Sequence, residues 1–264
     1  MFPLKDNIPT ERFPIVTVAI IVANVLVYFL WQRGGITLGD PSSPHYLDQL
    51  IRFGAIPDEL TQGAHCGFAV SGGTADPNQI VCSGPRLPPP GEDPNPYITP
   101  FTAMFMHGGL LHLGGNMLFL WIFGNNVEDS MGRVRFVAFY LLAGIAALAL
   151  QVAVDPTSTV PTLGASGAIA GVLGGYILLY PRARVLTVIF IIIFFTLIEI
   201  PAVVVLGIWI VEQALLGAAD LGNPAGGAGG VAYFAHIGGF AFGLLAIKAF
   251  ARHVKSIPPR YPVY

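Results

Sequence analysis

Charge is what this sequence has least of. Only 11% of its 264 residues are Asp, Glu, Lys or Arg, against about 25% in an ordinary soluble domain. In their place 54% are hydrophobic and the mean hydropathy is +0.67. A chain this poor in charge cannot cover a water-facing surface, so the bilayer is its expected solvent. The net charge of −2 says nothing about nucleic acid, and with no basic stripe in the sequence no nucleic-acid partner is expected. Cysteine is nearly absent too: Cys66 and Cys82 lie in one polar stretch. With His65 beside them they still fall short of a four-ligand zinc set, so no metal is expected. Two separate thiols and one disulfide both remain open, the disulfide favoured if the stretch faces an oxidising compartment. Internal repeats and low-complexity tracts are missing, apart from a Pro-rich stretch at 85–96 and a Gly-rich one at 218–230.

What the chain does have is long apolar runs. About 20 helical residues cross the hydrocarbon core. Spans are expected at about 13–31, 97–123, 134–154, 163–180, 198–217 and 231–251, with a long polar loop at 32–96. No small-x-small cleavage site closes the first run, which is expected to stay as a span rather than leave as a signal peptide. Within the loop, YLDQLIRF at 46–53 places Tyr46, Leu47, Leu50 and Phe53 near one helical face, the pattern of an interfacial helix. The region 185–217 is ambiguous, because Glu199-Ile200-Pro201 interrupts it. Two spans there would need a tight hairpin; one span, entered through an interfacial stretch, is simpler.

The placement of cations decides between them. With six spans both termini share a side. That side receives Lys5, Arg12, Arg133, Arg135, Arg182, Arg184, Lys248, Arg252, Lys255 and Arg260, and the other only Arg33, Arg52 and Arg86. Cytoplasmic loops carry the excess of Lys and Arg. Both termini are therefore expected in the cytoplasm and loop 32–96 outside, which favours the disulfide. The fold class expected is an all-α, six-helix, multi-pass membrane domain over 1–264, in the plasma (inner) membrane.

Polar side chains inside spans are costly unless paired or used. Ser166, His236, His112 and Asn116 stand out. A serine in a membrane helix ordinarily packs or bonds to its own backbone. Around it, however, Gly167, Gly171 and Gly175 form a small-residue face at i, i+4, i+8, and Ala235, Gly239 and Gly243 repeat it on the last span. Such faces let backbones approach closely. With six spans the two helices run the same way. Ser166 is about three residues and His236 about five past their helix starts, so at ~1.5 Å per residue their depths agree within a few Å. A serine hydroxyl needs an adjacent base, and histidine has the pKa for it. No acid adjoins His236, so a dyad is expected. His112 and Asn116, at i and i+4 on the second span, read either as interhelical hydrogen-bond donors or, with the Ser166 N–H, as donors to a developing oxyanion.

GASG at 164–167, HGGLLHLGGNMLFLWIFGNNVE at 107–128 and AHIGGFAFG at 235–243 resemble the motifs of the rhomboid family of intramembrane serine proteases. They stand in the same order, and the likeness extends over about 97–250. The resemblance implies a six-helix bundle that cleaves transmembrane segments of other proteins near the outer membrane boundary, with no cofactor. Ser166 would be the nucleophile, His236 the base, and His112, Asn116 and the Ser166 N–H the oxyanion donors. His107, Gly164, Gly167, Gly239, Glu128 and Arg133 would be structural, and 218–230 would fall at the family's mobile cap. One departure matters: some members carry a tyrosine one turn after the serine, stacked on the histidine, where this chain has Ala170. The competing readings are a non-catalytic relative that binds transmembrane clients, expected to lack the serine or the histidine, and a small transporter lined by His, Asn, Glu199 and Glu212.

Overall fold

A computed structural model describes residues 2–36, 43–63, 65–71, 74–84, 86–87, 95–191, 194–222 and 231–256. The chain opens with a short strand, β1 (Phe2–Asp6), and then α1 (Ile15–Leu26), which continues as a wider π turn to Trp31. The Pro14 that precedes α1 offers no side-chain cap, so the cap comes from far along the chain. Glu128 accepts from the backbone N–H of Val16 (3.1 Å) and of Thr17 (2.7 Å), and from the Thr17 hydroxyl (2.7 Å). A carboxylate there satisfies N–H groups that have no helical partner and faces the positive end of the helix dipole. Glu128 is structural in this specific sense. Arg133 is exposed and makes no hydrogen bond or ion pair among the described residues.

The polar loop is folded. It holds α2 (Pro44–Phe53), α3 (Pro57–Gln62) and a three-stranded antiparallel sheet of order β3 (Thr74–Val81), β2 (Gly67–Ser71), β4 (Arg86–Leu87). Ser43 caps α2 by accepting from the Tyr46 N–H. The Sγ atoms of Cys66 and Cys82 are joined as a disulfide. With Ile51 and Ile56 they form a small core of their own, and the Glu59 carboxylate accepts from the Cys66 N–H. Asp58 adjoins the two sulfurs, but a disulfide offers a metal no thiolate.

The expected second span at 97–123 is not one helix. Its first part is broken into short turns around Pro96 and Pro100, among them α4 (Thr99–Thr102), and residues 106–109 are not helical. The regular helix α5 starts at Leu110 and runs to Phe119. A π turn at Leu120–Gly124 joins it to α6 (Asn125–Met131). After it come α7 (Arg133–Val154) and α8 (Ser166–Leu179).

The all-α expectation also fails beyond α8. Residues 184–201 form a hairpin, β5 (Arg184–Ile191) and β6 (Phe194–Pro201), and β1 adds to its edge in the order β1-β5-β6. A continuous apolar run reads equally as buried helix or strand. Here the density of Val, Ile, Phe and Thr favours the pleated form, and Pro201 ends it. Glu199 pairs across the hairpin with Arg184 at 3.4 Å. The fifth span therefore starts later than expected: α9 is Ala202–Gly222, followed by α10 (Tyr233–Phe250).

Among the described residues three helices are long and apolar enough to cross a membrane: Arg133–Val154, Ala202–Leu221 and Tyr233–Phe250. Ile15–Trp31 and Ser166–Leu179 are shorter apolar helices. Six full-length crossings are thus not reached by helix length. The main core runs between α1, α5–α8 and α10, with Tyr28, Phe123, Phe136, Phe139, Tyr140 and Tyr176 among its buried rings.

At the C-terminal end of α8 the core closes on a polar cluster. Lys255 pairs with Asp129 at 2.6 Å, both side chains almost fully buried. It also donates to the Asn126 side chain and the Pro9 carbonyl. Asp6 accepts from Tyr176 (2.5 Å) and Asn126 (2.7 Å). Burial by itself would raise the pKa of Asp129, but the hydrogen bond from Lys255, the one from the Glu11 N–H and the charges of Lys255 and His253 together outweigh it and hold the carboxyl below the ordinary 3.8. Its contribution to stability is therefore present above that value and lost as pH falls through the lower, folded one. Lys255→Met strands Asp129 as a buried unpaired charge, which costs about 3–5 kcal/mol. Thermal unfolding in detergent should show a lowered midpoint that the double variant Lys255→Met/Asp129→Leu largely recovers.

Candidate active site

Helices α8 and α10 lie parallel and very close. A methyl added at Gly239 would overlap the carbonyl of Gly167, and one at Gly243 the carbonyl of Gly171. One helical turn along either helix thus corresponds to one turn along the other. Ser166 is the first residue of α8 and His236 the fourth of α10. This register brings them together: His236 Nε2 is 2.8 Å from Ser166 Oγ.

Other elements hold the segment that delivers Ser166. Ala55 and Thr162 exchange backbone hydrogen bonds, and the Gly164 N–H donates to the Ala103 carbonyl at 2.8 Å. Gly164 has φ +114, a conformation other residues resist. A Cβ there would stand 2.8 Å from the His112 ring and 3.6 Å from Asn116 Nδ2. The missing side chain is what lets the chain entering Ser166 run directly against His112 and Asn116. His112 Nδ1 accepts from the Gly108 N–H (3.2 Å), which leaves the proton of a neutral ring on Nε2. Asn116 is buried, and its Nδ2 has no acceptor among the described residues. A buried amide donor without an acceptor is expensive.

His107 acts through its backbone. Its carbonyl accepts from Tyr46 (2.8 Å) and Gln32 (3.3 Å), and its N–H donates to Gln32 (3.0 Å). Its imidazole nitrogens have no close hydrogen-bond partner among the described residues, and the ring meets His112 edge-on at 5.1 Å. The non-helical stretch before α5 is tied in this way to α2 and the end of α1.

Two residues of α9 touch His236 and were not singled out from the sequence. Gln213 Oε1 is 2.7 Å from His236 Nδ1, and the Trp209 ring is 5.7 Å from the imidazole, tilted by 39°. Gln213 is buried while its neighbour Glu212 is exposed. An uncharged amide in an apolar helix was the available signal, and the adjacent carboxylate masked it. A further feature is a cavity of ≈ 30 Å³ beside Ser166, lined by small residues that include Ala103, Gly144, Ala147, Ala232 and Ala235. The expected cap at 218–230 lies outside the described residues from 223 onward.

Residues 94–253, more than half of the chain, match the family model described as Rhomboid domain. Rhomboid protein 1, mitochondrial, of Saccharomyces cerevisiae is similar at 33% identity over 150 residues, 54% of this chain and 39% of that protein. Rhomboid protease GluP of Bacillus subtilis is 44% identical over 73 residues, 28% of this chain and 14% of that protein. Presenilin-associated rhomboid-like protein, mitochondrial, of Mus musculus is 36% identical over 94 residues, 35% of this chain and 25% of that protein. The chain spans less than half the length of each of these relatives. Two of the three are mitochondrial by name, so they give the plasma-membrane expectation no support.

The close helix contact yields a direct test. Gly239→Ala must push α8 and α10 apart, and overpacking of this kind costs about 1–3 kcal/mol. Gly207→Ala on α9, where an added methyl meets nothing, should leave the thermal midpoint unchanged or slightly higher. Thermal unfolding of the two variants side by side in one detergent checks this.

Proposed function

From the premise that this chain belongs to the rhomboid family and is an integral multi-pass membrane protein, we propose that it is a serine endopeptidase. Its substrates are transmembrane segments of other proteins, cut near the outer membrane boundary. The observation that carries this reading is the 2.8 Å approach of His236 Nε2 to Ser166 Oγ, in a chain that retains both residues.

In the proposed reaction His236 Nε2 takes the hydroxyl proton as Ser166 Oγ attacks the scissile carbonyl carbon. The carbonyl oxygen becomes an oxyanion and meets donors from His112, Asn116 and the Ser166 N–H. All three are fixed before the reaction, so no reorganisation is needed as charge develops. Collapse breaks the C–N bond, and the imidazolium returns its proton to the leaving amine. Water, activated by the same imidazole, then hydrolyses the acyl-enzyme. No step calls for a cofactor. The small side chains that line the cavity beside Ser166 favour Ala, Gly or Ser at the residue preceding the cut. The positive-inside count supports a membrane placement with both termini cytoplasmic and the disulfide-bearing loop outside.

Ser166→Ala and His236→Ala should each abolish cleavage of a reporter transmembrane segment in detergent or proteoliposomes and leave the thermal midpoint near wild type. Asn116→Ala should lower kcat by roughly 10²–10³-fold. Chelator should have no effect, and a fluorophosphonate should label wild type but not Ser166→Ala. Cleavage by the serine variant, or its loss on chelation, rejects the mechanism.

A further inference from the structure

His236 is gripped from a helix that carries none of the expected site residues. Nδ1 faces Gln213 Oε1 at 2.7 Å, and Trp209, one turn earlier on α9, lies against the same ring. Trp209 also packs on Phe240, one turn beyond His236 on α10 (centroids 6.2 Å apart). The spacing i, i+4 puts Trp209 and Gln213 on one face of α9, so a single turn of that helix supplies both an acceptor and a packing surface. The position from which a tyrosine would stack is Ala170. Its Cβ lies 3.3 Å from where a side chain on Gly239 would begin. Alanine has no ring to stack there, and the imidazole is instead flanked by Trp209 and Gln213 of α9.

We propose that Gln213 is the positioning residue for His236, fixing its tautomer through Nδ1 while Trp209 fixes the plane of the ring. The proposal rests on the reading of Ser166 and His236 as the catalytic pair. A neutral imidazole has one N–H and one lone pair. A carbonyl oxygen has no proton to give, so the N–H sits on Nδ1 and the lone pair on Nε2, aimed at the serine hydroxyl. The reversed amide would donate to Nδ1, move the proton to Nε2 and disable the base. A carboxylate at this position would fix the same tautomer, but at the cost of a buried charge. Gln213 performs the orienting half of the acid's role in a triad and omits the charge. The titratable groups around the imidazole are Ser166 on α8 and, at longer range, His112 on α5. On α9, Gln213 and Trp209 face it, and Glu212 is exposed. Gln151 on α7 meets α10 at the Ala235 N–H, one residue away.

The experiment uses the full chain in proteoliposomes, a reporter transmembrane substrate and a pH series. Gln213→Met should lower kcat by roughly 10–100-fold with KM within about twofold. Gln213→Glu, which keeps the acceptor and adds a charge, should retain activity and move the acid limb of the kcat/KM profile upward by about one pH unit or more. A glutamine that does not contact the imidazole would leave that limb where it is. Should Gln213→Met fail to fold, the near-isosteric Gln213→Glu decides alone: an unmoved acid limb overturns the proposal. Wild-type kcat in a folded Gln213→Met overturns it as well, with the dyad intact as long as Ser166→Ala is dead. Cleavage by Ser166→Ala would instead remove the reading beneath it.

Discussion

Everything at the site depends on how closely two helices can lie. Side chains normally hold helix axes 8–10 Å apart. Where α8 meets α10, glycine at 167, 171, 239 and 243 removes that spacer, and the backbones touch. Helices in lipid gain nothing from burying apolar surface against each other, so dense packing has to hold them together. The same contact fixes their mutual rotation and register. Once the glycines interlock, a hydroxyl at the start of one helix and an imidazole one turn into the other have a single relative position. The approach of the two side chains follows from packing, which explains how so short a helix as α8 can hold a hydroxyl in a fixed place.

The remaining polar groups compensate for the absence of water. Glu128 supplies a cap that α1 lacks in its own sequence, the Lys255–Asp129 pair closes the far end of the bundle, and the backbone of His107 gathers Gln32 and Tyr46. Each bridges segments distant in the chain and satisfies donors that would otherwise be stranded. Several buried polar atoms among the described residues stay without a partner, the Asn116 amide nitrogen among them, and that nitrogen lies beside the glycine that leads into Ser166.

Much of this was legible in the residues themselves. Small-residue faces on two runs, together with the cation count, led to parallel helices and to Ser166 beside His236 before any coordinates. What stayed hidden had physical causes. The run at 184–201 has no periodicity to separate strand from helix, and its partner β1 lies some 180 residues away in sequence, beyond any local signal. The expected span at 97–123 lost its first half to Pro100 and the Gly108-Gly109 pair, which interrupt a pattern that hydropathy alone reads as continuous. Gln213 escaped notice because hydropathy weighs a charge above an amide, so Glu212 drew the attention although it faces outward. The helical membrane class holds, six crossings are not reached by helix length among the described residues, and the sheets were not expected, because side-chain pattern reports burial more faithfully than it reports backbone pairing.

The way α9 is mounted has a mechanical consequence. Its first two N–H groups are stitched to the corner after α8, Ala202 to the Ala183 carbonyl (2.7 Å) and Val203 to that of Pro181 (3.1 Å). Gln213 stands eleven residues beyond this pivot, a lever arm of about 16 Å at 1.5 Å per residue. A tilt of about 5° would carry its amide roughly 1.4 Å sideways, more than a hydrogen bond of ordinary length tolerates. The contact between Gln213 and His236 is therefore sensitive to the angle of α9, although the pivot of that helix lies far from the imidazole.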